Sequence, residues 1–536
     1  MNELFLLCVG AAPIIWLFLA LCVFRLPGHV ACPGGLLLTA LLALFALGTG
    51  PANVATAALE GAVFALWPIL LVVVAAMILY RYSVETGGME TIKALLTSVS
   101  RDKRVLALIL AWGFGGFLEG IAGFGVPVLI PGSILVALGF NPMVAVVTCL
   151  VANSAPTPFA AVGIPVFALS GVTGLDPGVL GFNIAIQLFI PCLIIPFFLV
   201  MLVGGGVRAV RGVGLITLIA GLSYALPLLL VSRFIGPELP TLLGSICAIA
   251  CITAANKRLY KDDEQNKRYQ IEGAGAAAGG LREGDLRGGS LREGSALPLS
   301  RRGGASVGMF QACLPFILVL GLVTLTSLVG PIHSALARIG FDTVLYAGEG
   351  GHTLSFALLL TPGVLILLSV IIAAFMQGVR FSAFLRIAGA TIFESRKTAV
   401  TIVTIVAMAK IMDYSGMTDA IALMLIAVFA AFYPLVAPVI GMLGTFITGS
   451  DTTCAILFGN LQAGAARAIG TDPAWIASAN LSAAAAGKMI SPQSVAIGLR
   501  IGGLEGREGD IIRQTLKYAL VCTAVISAVT FGRAMF

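Results

Sequence analysis

Apolar runs of roughly 18 or more residues recur along the whole chain, each long enough to cross a hydrocarbon layer about 30 Å thick as a helix. Inside hydrocarbon a backbone N–H or C=O finds no water, so such a chain can only build helices or a closed β-barrel. The runs are continuous rather than alternating, which excludes the barrel. Hydrophobic residues make up 59% of the sequence and charged residues 11%, where a soluble domain carries about 25% charge. The expected fold is an all-α polytopic membrane protein.

About twelve spans are expected, near 4–24, 33–49, 60–80, 142–170, 178–203, 213–231, 238–255, 308–330, 353–375, 397–413, 473–500 and 511–532. Residues 4–24 are read as a first transmembrane helix rather than a secretory leader. Glu3 precedes them, no Lys or Arg does, and the apolar run is too long. Segments 105–138 and 434–464 are broken near their middles by glycine, proline and charge, and each is expected to enter and leave on one side as a re-entrant hairpin. The resulting division is 1–53, N-terminal helices; 54–255, a first half with hairpin 105–138; 256–306, a linker; and 307–536, a second half with hairpin 434–464.

Lys and Arg in the loops set the orientation. Arg81, Lys93, Arg101, Lys103 and Arg104 form one cluster, Arg208 and Arg211 another, followed by the basic loop 256–306. Arg380, Arg386, Arg396 and Lys397, then Arg500, Arg507, Arg513 and Lys517, complete the set. With both hairpins re-entrant, all these fall on the cytoplasmic face and both termini lie outside; Arg233, Arg338 and Arg467 are isolated exceptions. The net charge of +7 is thus a topology signal and not a nucleic-acid surface. Loop 256–306 is dense in glycine, repeats LREG at 281 and 291, and is too polar to bury a core. It reads as a flexible cytoplasmic linker. The ten cysteines are scattered; Cys247 and Cys251, four apart on one span, read as buried small hydrophobes. His29, His333 and His352 fall in loops, so neither a metal site nor a histidine-based catalytic set is visible. No cofactor is called for, and nothing in the pattern specifies an oligomeric state.

The two halves echo each other at an offset of about 330 residues. Tyr82-Ser-Val-Glu-Thr-Gly-Gly-Met resembles Tyr414-Ser-Gly-Met, and Gly139-Phe-Asn-Pro resembles Gly470-Thr-Asp-Pro. The charge argument places Met89 inside and Met417 outside, so the copies are expected to be inverted. Inverted-repeat transporters hold substrate and coupling ion near the midplane, at broken helices in matching positions.

The first hairpin carries Glu119 beside Gly120, Gly123 and Gly125; the second carries Asp451 beside Gly449, with Ser450, Thr452 and Thr453. An ionisable group at that depth is by default a functional candidate, and a desolvated carboxylate suits a proton carrier. Glu119 is the first choice for proton coupling and Asp451 the second, an N-cap role for Asp451 being equally open. A second pair of breaks holds Asn153, Ser154 and Thr157 in the first half and Lys488, Ser491 and Gln493 in the second. The hydroxyls and amides suit a small hydroxylated acid. Lys488 is the one cation within these broken segments, and a substrate anion or a partner carboxylate would use it. Lys410 and Asp413 are expected to snorkel or pair locally near a span end. Glu60, Asn183 and Gln187 are explained as well by helix–helix hydrogen bonds as by transport.

FGGFLEGIAGFGVPV, CLVANSAPTPFAAVGIPV, TGSDTT and AGKMISPQSVAIG resemble the L-lactate permease family of bacterial inner membranes, over most of residues 54–530. The resemblance implies proton-coupled uptake of L-lactate, with D-lactate and glycolate as related substrates. A wider likeness to ion transporters with paired hairpins implies an elevator-like movement. The chain has GIAGFGVPVL where the family often has GAAGFGTPVA, and Asn-Ser-Ala-Pro where Asn-Thr-Ala-Pro is common. The expected function is a multi-pass inner-membrane symporter whose partners are a small monocarboxylate, protons and the bilayer. A sodium-coupled symporter of another small organic anion is the alternative, since glycine carbonyls and hydroxyls at hairpin tips equally suit Na⁺. An intramembrane hydrolase is disfavoured, because Asp451 has no second aspartate in a matching motif and no buried histidine. A passive channel is disfavoured by carboxylates in both halves.

Overall fold

The computed structural model describes residues 3–24, 26–123, 125–260, 264–271, 308–348, 351, 353–499, 501, 503–504 and 506–535. Both LREG copies and His352 lie outside the described residues. Among the described residues nine helical runs are long and apolar enough to cross a membrane, ten if one bent pair counts as a span. The chain is a multi-pass α-helical membrane protein with fewer such spans than the twelve expected. The expected spans at 4–24 and 353–375 shorten to apolar helices Phe5–Leu21 and Pro362–Met376, whereas Lys103–Ile121 and Met417–Thr448 are long enough to cross.

Prolines and glycines account for most boundaries. Residue 353 does not open a helix: Leu354–Ala357 pairs antiparallel with Gly340–Thr343 in a small ribbon, and the helix starts only at Pro362. Pro at the first helical position lacks only an N–H that would have no intrahelical partner. The expected span 60–80 belongs to a longer run, Pro51–Glu85. That run breaks at Trp67, whose φ of −135° and ψ of 115° are extended, because Pro68 drives the preceding residue out of the helical region.

The first hairpin runs through Lys103–Ala107, a π-helical stretch Leu108–Phe114 and Gly115–Ile121, then returns as Val126–Ala137. The second is Tyr433–Thr448 with Asp451–Ala468. After each hairpin comes a broken helix. Pro142–Ala152 meets Thr157–Thr173 at a bend of 62°; Pro473–Lys488 is followed by Pro492–Leu499. The two halves share local geometry. Gly87 and Gly416 have φ of 77° and 76°, and Gly139 and Gly470 have φ of 87° and 74°. Asn141 and Asp472 cap the following helices through their side-chain oxygens, each with proline next. A helix of 28 residues follows each broken helix, Pro177–Gly204 and Glu508–Met535.

Small residues let these elements pack backbone to backbone. Gly441 and Gly487 press Tyr433–Thr448 against Pro473–Lys488, at the carbonyls of Asn480 and Met442. Gly459 lets Asp451–Ala468 lie on Leu169, Val172 and Thr173 of the first broken helix. Gln187 bridges to the second broken helix, accepting from Ser482 at 2.8 Å and donating to the Trp475 carbonyl at 3.0 Å. Asn183 accepts from Arg533 at 3.4 Å, so both polar span residues make interhelical bonds. The first hairpin lies along Pro240–Leu259, with Gly113, Gly116 and Gly120 facing Ile249, Ser245 and Thr241. Trp112 donates to the Ala220 carbonyl at 3.0 Å. Cys251 stands exposed and Cys247 half-buried, not in the core as expected.

The expected linker does not begin loosely at 256. Pro240–Leu259 continues through it, and the segment after Glu264 folds back on the base of the first hairpin. There Arg104, wholly buried, pairs with Asp102 at 2.6 Å and donates to Asn266 and to the carbonyls of Ala209 and Arg211.

Candidate functional site

The geometry of both hairpin tips demands glycine. Gly123 and Gly125 have φ of 58° and 86°, and Gly449 has φ of 69°, the left-handed region that glycine alone enters freely. A Cβ on Gly125 would collide with Ile497, and one on Gly449 with Gln493. Each tip therefore rests on the short helix Pro492–Leu499 of the second broken pair. Gly120 is helical and gives close approach to Thr241 and Leu242.

These tips bring three charged residues together. Glu119, one turn before the first tip, is wholly buried, and its Oε1 accepts from Lys488 Nζ at 3.0 Å. The Lys488 side chain keeps 15% of its surface accessible. It ends the helix Pro473–Lys488, where a cation is favoured by the carbonyl end of the helix dipole. Among the described residues Glu119 Oε2 and both Asp451 carboxylate oxygens are buried without a hydrogen-bond partner. Lys488, Glu119, Thr157 and Thr445 surround Asp451. An unpartnered buried carboxylate oxygen costs on the order of 1–3 kcal/mol or more, so this cluster can accept a further donor or cation.

Asp451 does not cap its helix. Ser450 does, accepting from Thr453 N at 3.3 Å, which leaves the Asp451 carboxylate facing the pair. The hydroxyls of Ser154, Thr157 and Ser491 are committed as donors to local carbonyls or neighbouring hydroxyls. Ser154 donates to the Val151 carbonyl and Thr157 to the Ser154 carbonyl, both at 2.8 Å. Ser491 donates to Ser494 Oγ at 2.8 Å and accepts from Ser494 N. Their oxygens still have lone pairs with which to accept. Asn153 ends the first half-helix and its Oδ1 is buried and unpartnered. Gln493 is exposed and lies over Gly449. Thr452 is half-buried and Thr453 buried; among the described residues neither hydroxyl bonds to the Glu119–Lys488 pair. The structure thus gathers Glu119, Lys488, Asp451 and Thr157, and leaves Thr452 and Thr453 on the second arm beside them.

Three features were not foreseen. Thr445, on the first arm across the tip from Asp451, is buried with an unpartnered hydroxyl; its signal was its place in the same glycine-flanked motif. Ala161, Val162 and Gly163 run consecutively at φ of 43°, 59° and 82°, just past the first break. A left-handed β-branched residue is an outlier, costing roughly 1–2 kcal/mol, and such strain clusters at working sites. Lys410 does not snorkel: it is buried and pairs with Glu60 at 3.0 Å.

Among solved structures, the YdaH transporter of Alcanivorax borkumensis matches at 14% identity with a TM-score of 0.44, covering 86% of this chain and 84% of that one. The sequence relatives are far nearer. The L-lactate permease of Streptococcus iniae is 43% identical, covering 87% of this chain and 92% of its own. Glycolate permease GlcA of Escherichia coli strain K12 is 33% identical over 98% of this chain and 95% of its own. The L-lactate permease of the same strain is 32% identical over 97% and 94%. A family model described as L-lactate permease matches residues 7–535, a span that takes in both hairpins and both broken helices. By that match and by these relatives, this chain belongs to the L-lactate permease family of membrane transporters.

Proposed function

We propose that this chain imports L-lactate or a related 2-hydroxymonocarboxylate, such as glycolate or D-lactate, together with a proton across a bacterial inner membrane. The observation that carries the reading is the Lys488–Glu119 pair at 3.0 Å, joining the two halves of the chain and bordered by unpartnered carboxylate oxygens. Without a proton, Glu119 occupies Lys488. Protonation of Glu119 removes that partner, and Lys488 takes the substrate carboxylate in its place. An anion entering while Glu119 and Asp451 are both charged would make a third carboxylate around one ammonium, which like-charge repulsion disfavours. Proton and substrate are thereby tied together. Asn153 Oδ1 accepts from the substrate hydroxyl, and the Ser154 and Thr157 oxygens lie on the same broken segment. Relatives named for lactate and for glycolate both handle 2-hydroxymonocarboxylates, which supports that class.

The hairpins are read as re-entrant and the halves as inverted repeats, a reading supported by their matched glycines and caps and by the long helix that follows each broken helix. Hairpins and broken helices then move as one bundle past the remaining helices, elevator-like. The test is uptake of radiolabelled L-lactate into proteoliposomes with the outer face acidified, competed with glycolate, D-lactate and pyruvate. Accumulation that glycolate suppresses is expected; no accumulation under the gradient overturns the proposal.

A sodium-coupled reading has its own support: Asp451 Oδ1 and Oδ2, Glu119 Oε2, Thr445 Oγ1 and Asn153 Oδ1 are buried, unpartnered oxygens of the kind that hard cations take. Replacing Na⁺ by choline separates the two. Unchanged uptake supports the proton, and loss of uptake supports sodium.

A further inference from the structure

A second buried ion pair lies away from the hairpin tips. Glu60, on Pro51–Phe64, is wholly inaccessible and forms an ion pair with Lys410, on Arg396–Tyr414, its Oε1 lying 3.0 Å from Nζ; Lys410 is 1% exposed. The Tyr414 hydroxyl reaches both carboxylate oxygens, at 2.9 and 3.0 Å. The Tyr414 ring is covered by Tyr346, stacked with centroids 3.7 Å apart and planes at 4°. Tyr346 belongs to the connection between the ribbon strands, which Ala347 N fastens to Thr56 Oγ1 at 3.1 Å. Two more carboxylates complete the surroundings. Asp413 follows Lys410 by one turn on the same helix face, and Asp419 adds its charge from the next helix. Asn460, on the return arm of the second hairpin, lies beside the Asp413 carboxylate. That arm begins at Asp451, about 13 Å away along the helix.

The pair is not needed to close its helix crossing. Gly61 already does so: a Cβ there would stand 2.6 Å from Ala407 Cα. Buried ions cost desolvation that apolar side chains of the same volume would avoid, so ionisable groups kept within membrane spans mark a task. Here Lys410 pairs with Glu60 and its charge also acts on Asp413, one turn along its own helix and beside the hairpin arm.

We propose that Glu60 is a second proton-binding group of this transporter, whose protonation passes Lys410 to Asp413 and loosens the Asp413–Asn460 contact, freeing the second hairpin to move. The proton forms one O–H bond on a Glu60 carboxylate oxygen, and no other covalent bond changes. Before it arrives, one ammonium faces the Glu60 and Asp413 carboxylates; afterwards it faces the Asp413 carboxylate alone, so the pair Lys410–Asp413 is neutral. The proposal rests on the transport reading above, since it describes a release step within that cycle.

The test is exchange of external labelled for internal unlabelled L-lactate in proteoliposomes, with equal pH on both faces, followed from neutral to acid. The wild-type protein is expected to accelerate as pH falls. Glu60→Gln, which mimics the protonated group, loses that acceleration and runs fast throughout, and Asn460→Ala does the same with Glu60 intact. Glu60→Gln leaves Lys410 without its main partner, so the double variant Glu60→Gln/Lys410→Gln serves where the single one does not fold. Exchange with a wild-type pH profile in either Glu60 variant overturns this proposal alone. No exchange by the wild-type protein at any pH overturns the transport reading and this proposal with it.

Discussion

At the scale of the residue, the site depends on one cation shared among carboxylates. Lys488 pairs with Glu119 while Asp451 waits beside them without a hydrogen-bond partner. Two predictions follow from that arithmetic of charge. Glu119→Gln fixes the site in the equivalent of its protonated form, so lactate–lactate exchange persists while accumulation driven by a pH gradient is lost. Uphill uptake at the wild-type rate in that variant would show that Glu119 carries no proton. Lys488→Gln strands a buried carboxylate, a change that costs about 3–5 kcal/mol when one partner of a buried pair is removed. Its thermal unfolding midpoint is therefore expected to fall steeply, and Glu119→Gln/Lys488→Gln to regain most of the loss without regaining transport. A double variant no more stable than the single would mean that the two residues do not interact. Glu119, Asp451 and Lys488 were legible in the sequence because charge is rare in hydrocarbon. What pairs with what was not: Lys488 and Glu119 lie 369 residues apart, and Lys410 finds Glu60 rather than solvent. Asp451 could equally have been a helix cap until Ser450 was seen to fill that role.

At the scale of the element, every break in the site has a local cause, and most causes are written in glycine or proline. Glycine and proline marked both hairpin tips and both broken helices in advance, and the arms run within a few residues of the expected bounds. The exceptions lack such marks. Ala161 and Val162 adopt left-handed backbone without being glycine, and both are buried. The ribbon Gly340–Thr343 with Leu354–Ala357 was hidden because its second strand adjoins an apolar helix and extends the same hydrophobic run. The second tip offers a test of these causes. In Gly449→Ala two penalties combine: a left-handed alanine, roughly 1–2 kcal/mol, and collision of its Cβ with Gln493. Adding Gln493→Ala removes the collision and leaves the backbone strain. The double variant is therefore expected to recover part of the uptake and thermal stability lost by Gly449→Ala. Full recovery would show that the φ of 69° carries no cost, and no recovery that Gln493 is not what the tip rests on.

At the scale of the whole molecule, the question is which parts move together. The first tip rests on Ile497, the second on Gln493, and the arm Asp451–Ala468 lies along the first broken helix through Gly459. Hairpins and broken helices are thus locked to one another by contacts that leave no room for a Cβ, as the pieces of one moving body should be. The contact between Gly171 and Phe64 is of another kind. It joins the first broken helix to Pro51–Phe64, outside the hairpin bundle, and a sliding bundle must break it. In a cysteine-free background, a short bifunctional thiol reagent bridging cysteines at 459 and 169 is expected to leave lactate exchange largely intact. The same reagent bridging 171 and 64 is expected to stop exchange, and reductive release of a cleavable bridge to restore it. The two pairs differ only in whether they cross the boundary of the bundle, so the comparison isolates movement from chemistry. Exchange that survives the bridge at 171 and 64 would mean that the substrate crosses without the bundle sliding past this helix. The Glu119–Lys488 exchange of partners would then have to act through the hairpin tips alone.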